Sequence, residues 1–166
     1  MSSPQAQPLP LKVGDPAPLF TLNTQEGKPF DLSTRKGSWT VLYFYPKANT
    51  PNCTKQACGF REEIENIRLL HAEVYAVSSD RSDQLVAFHQ KQHLNFTLLA
   101  DPESKVIRQY GVLSILGMAK RKTFILNPQL KIQWIEQNVD PVRDAQQMIE
   151  KLKSFQSLIF NLETKD

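Results

Sequence analysis

The sequence predicts an α/β layer fold built on a central mixed β-sheet flanked by helices. Three observations predict it: short apolar runs that suit buried strands, amphipathic helical segments between them, and a hairpin signal before a last helix. The length of 166 residues fits one ordinary domain. Residues 1–11, with prolines at positions 4, 8 and 10, are predicted to form a flexible lead-in, and residues 12–166 the domain.

Strands and helices alternate through the first part of this domain. Residues 41–45 form a β-branched and aromatic run stopped by Pro46, which is typical of a central strand covered on both faces. An amphipathic helix is then expected to begin close to Cys53. Its apolar residues recur in steps of three and four, at Ala57, Phe60, Ile64 and Ile67. A second buried strand follows at 74–77, and Ser82 is expected to cap the next helix.

Start and stop signals define the remaining elements. Turn residues, capping residues and glycine punctuate the chain where each element is expected to begin or end. They predict a strand at 97–100, a helix from Asp101 to Gly111, strands at 121–126 and 131–137 joined by a turn at 127–130, and a last helix opened by Asp140 with Val142 on its apolar face.

Charge and composition exclude several classes of protein. The chain has 20 Lys and Arg against 17 Asp and Glu, so its net charge of +3 is small and is not clustered as in a nucleic-acid binder. The sequence contains no apolar stretch long enough for a membrane span, no secretory signal and no nucleotide-binding glycine loop. Two cysteines are too few for a disulfide scaffold, which favours a reducing cytoplasm.

The two cysteines carry the chemical signal. Cys53 is expected in the first helical turn, where unpaired N–H groups and the helix dipole favour a reactive thiolate. Cys58 lies five residues later, which on a helix separates the two Cα atoms by roughly 8.6 Å. A disulfide normally requires less than about 7 Å. The first helical turns would therefore have to open for the pair to bond, and this spacing favours a transient disulfide over a structural one.

The residues around Cys53 resemble a known motif. Pro46-x-x-x-Thr50-x-x-Cys53 resembles the active-site motif of peroxiredoxins, and the added Cys58 is similar to the bacterioferritin comigratory protein (PrxQ) branch of that family. Further similar segments follow in the expected order, at residues 14–18, 44–47, 57–61, 98–101 and 110–112.

This resemblance implies a thioredoxin-like fold with an N-terminal β-hairpin and a thiol-dependent peroxidase, without metal or other cofactor. Such an enzyme would reduce hydrogen peroxide and organic hydroperoxides, act as a monomer, and be recycled by thioredoxin or a similar dithiol. It also implies a role for each site residue: Cys53 as the peroxidatic nucleophile, Cys58 as the resolving thiol, Thr50 as a hydrogen-bond partner of the peroxide, Pro46 as a shield of the pocket, and Arg121 as the essential guanidinium.

The same two cysteines are also compatible with three other functions. A thiol-disulfide oxidoreductase is one alternative, although it usually has Cys-x-x-Cys, and a peroxide sensor using the same cysteine pair is another. A structural zinc module is a third, with Cys53, Cys58, His89 and His93 as ligands, although the spacing between Cys58 and His89 is unusual for a zinc finger.

Overall fold

The computed structural model of the chain describes residues 10–163, so most of the predicted lead-in and the last three residues lie outside it. Within that range the chain forms seven strands, four α-helices and a short 3-10 helix at Leu32–Arg35. The strands are β1 (Thr21–Thr24), β2 (Pro29–Asp31), β3 (Trp39–Phe44), β4 (Ala72–Ser78), β5 (Thr97–Ala100), β6 (Lys122–Leu126) and β7 (Ile132–Glu136). The helices are α1 (Pro51–Leu69), α2 (Ser82–Lys91), α3 (Lys105–Gln109) and α4 (Asp144–Glu163).

The strands form a single sheet in the order β2-β1-β5-β4-β3-β6-β7. β3, β4 and β5 run parallel, whereas β1, β2, β6 and β7 pair with their neighbours in antiparallel fashion. The predicted mixed sheet and N-terminal hairpin are therefore confirmed. Phe44, the last residue of β3, lies opposite Val77 near the end of β4 and Lys122 at the start of β6. The loops after β3 and β4 and the segment before β6 consequently meet at one edge of the sheet.

The core fills both faces of the sheet, because alternate residues of β3 belong to two different apolar clusters. Val41 and Tyr43 pack in the cluster that contains α1, α2 and α4, while Leu42 and Phe44 pack in the cluster that contains α3. The ring of Tyr43 stacks on Phe60 of α1 with a centroid separation of 4.8 Å. This packing anchors α1 directly above the end of β3, where the candidate site lies.

Three predicted helix starts are wrong by a few residues. Ser82 is the first residue of α2 and not its cap, since the Gln84 side chain accepts from the N–H of the preceding Arg81. The helix predicted from Asp101 begins at Lys105, because Ser104 adopts a left-handed backbone with a φ of 55°. Asp101 nevertheless caps it, since its carboxylate accepts from the N–H groups of Lys105 and Ile107.

The last helix also begins later than predicted. Residues 141–143 form a turn after Asp140, and α4 begins at Asp144. Val142, expected on the apolar face, is 66% exposed, whereas Asp144 is fully buried. Along the part of the chain that the structure describes, no helix is long and apolar enough to cross a membrane.

Candidate active site

The loop from β3 to α1 shapes the site. It passes through Pro46 and turns at Asn49, whose φ of 63° lies in the left-handed region that asparagine tolerates better than most residues. A buried carboxylate fixes this loop: Asp80, just after β4, accepts from the N–H of Ala48 at 2.8 Å. The hydroxyl of Ser78 donates to the same Asp80 oxygen at 2.7 Å, which holds the carboxylate in place.

Cys53 is the third residue of α1 and is buried, with 2% of its surface exposed. The first helical hydrogen bond runs from the N–H of Thr54 to the carbonyl of Thr50, so the N–H of Cys53 belongs to the group that a helix leaves unpaired at its start. The first turn of α1 carries no acidic side chain. The positive end of the helix is therefore available to an anion at the Cys53 sulfur.

Arg121 reaches this sulfur from a distant part of the sequence. It immediately precedes β6, and the antiparallel pairing of β6 with β3 brings it to the edge where α1 begins. Its Nη2 donates to Cys53 Sγ at 3.3 Å, and its Nη1 donates to Gln56 Oε1 at 2.5 Å. Lys122, the next residue, turns away and donates to Gln137. The structure thus brings together the predicted nucleophile and the predicted guanidinium, 68 residues apart.

Thr50 and Pro46 lie on the loop that leads to Cys53, and both are half-buried. The Thr50 hydroxyl donates to the carbonyl of Lys47 at 2.7 Å. Its proton is therefore occupied, and its oxygen lone pairs remain to accept a hydrogen bond. Thr50 is also the N-cap residue of α1, but its side chain makes no capping bond.

Cys58 occupies a different environment on the same helix. It is half-buried, and its thiol donates weakly to Gln92 Oε1 at the C-terminal end of α2, with a sulfur to oxygen distance of 3.6 Å. Arg61, one turn further along α1, donates to the carbonyl of Gln92 at 2.6 Å. The two cysteines are not bonded to each other.

Comparisons with known proteins decide the family. The model of the AhpC/TSA family matches residues 13–135. The chain belongs to this family. It is 44% identical over 133 residues to peroxiredoxin Bcp of Escherichia coli, covering 76% of this chain and 85% of the relative. It is 42% identical over 147 residues to the chloroplastic peroxiredoxin Q of Sedum lineare, covering 87% and 78%.

Solved structures agree with the sequence relatives. The bacterioferritin comigratory protein of Xanthomonas campestris, described for its alkyl peroxide reduction activity, superposes with a TM-score of 0.78 at 26% identity, covering 82% of this chain and 91% of that one. The thioredoxin-like fold and the resemblance to the PrxQ branch are therefore confirmed. The protein is a peroxiredoxin, which is a thiol-dependent peroxidase.

Sequence reasoning gave no role to the residues that hold Arg121 in this peroxiredoxin. Gln56 is buried and bridges Arg121 to Asp144, to which its Nε2 donates at 2.9 Å. The hydroxyl of Thr123 donates to the same Asp144 oxygen at 2.6 Å. Burial raises the pKa of Asp144 to about 6, although both hydrogen bonds act to lower it. The spacing of three residues from Cys53 places Gln56 on the same helix face, whereas no local signal points to Asp144.

The side chains considered as zinc ligands do not form a metal site in the described part of the chain. Within residues 10–163, His, Cys, Asp and Glu side chains form no group of three or more that could hold a metal ion. The ring Nε2 of His89 lies 3.1 Å from the carbonyl oxygen of Phe96, a contact that ties α2 to the segment before β5.

Proposed function

We propose that this peroxiredoxin reduces hydrogen peroxide and organic hydroperoxides through a sulfenic acid on Cys53, which Cys58 then converts into an intramolecular disulfide. The observation that carries the proposal is the buried Cys53 thiol in the first turn of α1, with Arg121 Nη2 donating to its sulfur at 3.3 Å. Both the helix end and the guanidinium direct positive charge at this sulfur, and the thiolate is the form of a cysteine that attacks peroxide.

The first step is a displacement at oxygen. The Cys53 thiolate attacks the hydroxyl oxygen of the peroxide, so that a sulfur–oxygen bond forms while the oxygen–oxygen bond breaks. The departing hydroxide or alkoxide takes up a proton and leaves as water or an alcohol, and the sulfur has lost two electrons. Arg121 donates to the oxygen on which negative charge develops. Thr50 accepts from the peroxide hydroxyl, because its own proton is given to Lys47, and Pro46 shields the pocket from water.

The second step joins the two sulfurs. The Cys58 thiolate attacks the sulfenic sulfur of Cys53, so that a sulfur–sulfur bond forms while the sulfur–oxygen bond breaks, and the departing hydroxide takes up a proton to become water. An intact helix holds the two Cα atoms too far apart, so we infer that the first turns of α1 unwind. Two features support this step: the N-cap side chain makes no capping bond, and the hydrogen bond from the Cys58 thiol to Gln92 is weak.

The remaining parts of the proposal concern partners and place. A disulfide that closes a short loop near the surface is readily reduced, which fits thioredoxin or a similar dithiol as the electron donor. The alkyl peroxide activity of the Xanthomonas campestris relative supports organic hydroperoxides as substrates. A monomeric state in the cytoplasm completes the proposal. Light scattering of the purified protein tests the first of these, and cell fractionation tests the second.

The proposal is tested by treating the reduced protein with one equivalent of hydrogen peroxide and measuring intact mass and free thiols. We expect loss of two hydrogens and of both thiols, followed by full recovery with thioredoxin and repeated peroxide consumption. Unchanged thiols after minutes of exposure would contradict the proposal. Reduction of insulin disulfides without peroxide turnover would instead indicate a thiol-disulfide oxidoreductase, and a single oxidation without turnover would indicate a sensor.

A further inference from the structure

Asp144 carries a buried carboxylate close to the site. It begins α4 and is fully buried. Its Oδ2 accepts two hydrogen bonds, from Gln56 and Thr123, while its Oδ1 is buried without a hydrogen-bond partner among the described residues. Native proteins pair nearly all of their buried polar atoms, and an unpaired one calls for a physical explanation.

The contacts of Asp144 lead directly to the reacting sulfur. Asp144 accepts from Gln56 Nε2, Gln56 Oε1 accepts from Arg121 Nη1, and Arg121 Nη2 donates to Cys53 Sγ. A glutamine amide has one donating end and one accepting end, whereas a guanidinium only donates. If the Gln56 amide were reversed, its NH₂ group would face the guanidinium and the hydrogen bond to Arg121 would be lost. The acceptor at Asp144 selects the productive orientation.

We propose that Asp144 is a positioning residue for peroxide reduction, which orients the Gln56 amide so that its oxygen fixes the Arg121 guanidinium against the Cys53 sulfur. This inference rests on the proposed role of Arg121. The inference gives the start of α4 a part in building the site. None of the site residues predicted from the sequence lies on this helix.

The cost of burying Asp144 supports a functional role. Burial raises its pKa, so the ionised carboxylate destabilises the folded protein at neutral pH. A residue needed only for packing would avoid this cost, and strongly perturbed carboxylates concentrate at functional sites. Three charged or titratable side chains interact electrostatically with Asp144. They are Tyr43 on β3, Arg121 just before β6 and Glu136 on β7.

The test compares rates of Cys53 oxidation by hydrogen peroxide, measured in single turnover by quenched alkylation and intact mass. Asp144→Ala is expected to slow the reaction about tenfold, because Arg121 loses a fixed position. Asp144→Asn, which keeps an acceptor oxygen, is expected to restore the rate to within about threefold of the parent. Asp101→Asn is the matched control, since Asp101 is also a buried carboxylate but caps α3, and it should leave the rate unchanged.

A double-mutant cycle shows whether Asp144 acts through Gln56. Gln56→Leu should slow oxidation about as much as Asp144→Ala, and the double variant should be no slower than either single variant. Additive losses would overturn the inference, as would a rate for Asp144→Ala within about twofold of the parent. If Asp144→Ala fails to fold, Asp144→Leu takes its place in the cycle, because leucine has a similar size but no acceptor oxygen, and the same outcomes decide.

One further variant separates this inference from the proposed function. If Arg121→Lys oxidises as fast as the parent protein, the proposed role of Arg121 fails, and the role of Asp144 fails with it. If Arg121→Lys is slow but Asp144→Ala is not, only the positioning role of Asp144 is wrong.

Discussion

Cys53 and Cys58 lie five residues apart on one helix, yet their surroundings differ in almost every respect. Cys53 is buried in the first turn of α1, with the Arg121 guanidinium on its sulfur and Gln56 and Asp144 behind that guanidinium. Cys58 is half-buried, and its thiol makes a weak hydrogen bond to Gln92. One thiol therefore lies in the interior with a positive charge on its sulfur, while the other lies partly at the surface.

Under the proposed function, this difference lets a single helix serve two successive reactions. A thiolate that attacks peroxide needs a fixed geometry and a positive charge, which the intact start of α1 provides. Disulfide formation needs the same turns to open, because an intact helix keeps the two cysteines apart. A substitution in the site can therefore affect the reaction of the intact helix, the reaction of the opened helix, or both.

The largest effects are expected from the cysteines themselves. Cys53→Ser should abolish peroxide consumption, because no other thiol occupies the charged site. Cys58→Ser should still react once with peroxide, but turnover with thioredoxin should stop because Cys53 has no resolving partner. Intact mass and steady-state peroxide assays measure the two outcomes. Equal loss of the first oxidation in both variants would remove the distinction between the two thiols.

Arg121→Lys is expected to give the next largest effect. Lysine keeps the positive charge but lacks the planar fork that donates to Gln56 and Cys53 together. The rate of Cys53 oxidation should fall about a hundredfold, as on removal of a transition-state hydrogen-bond donor. Lys122→Gln is the control at the neighbouring position, because Lys122 contacts Gln137 instead, and its rate should match the parent. An equal loss in both variants would contradict a specific role of Arg121 and would indicate a general disturbance at the start of β6.

Thr50 should contribute less than Arg121. Thr50→Val removes the hydroxyl with little change in shape and should slow oxidation about tenfold, because the peroxide loses one hydrogen-bond partner. Thr50→Ser keeps the hydroxyl and should retain most of the rate. Since the Thr50 side chain makes no capping bond to α1, the stability of the helix should change little in either variant. Comparable loss in both variants would contradict the role of the hydroxyl.

Asp144→Asn is expected to have the smallest effect on the rate of Cys53 oxidation and a measurable effect on stability. Burial raises the pKa of Asp144 from 3.8 to about 6, so its protonated form is favoured in the folded state. The stability this contributes is present below about pH 4 and is lost as the pH rises through about 6. The Asn variant cannot ionise, so its free energy of unfolding should gain on that of the parent by about 2 kcal/mol between pH 4.5 and 7.5.

Urea unfolding of the reduced proteins at these two pH values measures the gain. The same difference between parent and variant at both pH values would show that Asp144 does not titrate as a buried carboxylate. If the Asn variant is more stable than the parent at pH 7.5 but reacts more slowly with peroxide, Asp144 favours the reaction at the expense of stability.

Local patterns predicted most of the fold and the chemical centre of the site. The strand at 97–100 agrees with β5, and the helix predicted near Cys53 begins two residues earlier, at Pro51. The starts of α3 and α4 were wrong because Asp101 and Asp140 are typical capping residues, and sequence alone does not show that turns separate them from the helices.

The network behind Arg121 could not be predicted in the same way. Gln56 and Asp144 are 88 residues apart, and only the packing of α4 on α1 brings them together. An acidic residue near a helix start ordinarily indicates a solvated first turn, which is the opposite of the buried position that Asp144 occupies. Arg121 was predicted through family resemblance and not from spacing, since its contact with Cys53 depends on the pairing of β3 and β6.

Hydrogen exchange along α1 tests most directly whether the same turns are closed for the first reaction and open for the second. The amides of residues 54–58 should be protected in the reduced protein and should lose protection once peroxide has formed the Cys53–Cys58 disulfide. The amides of residues 60–67, which lie beyond both cysteines on the same helix, should remain protected and serve as the internal reference. Unchanged protection at residues 54–58, in protein whose mass shows the disulfide, would contradict the account.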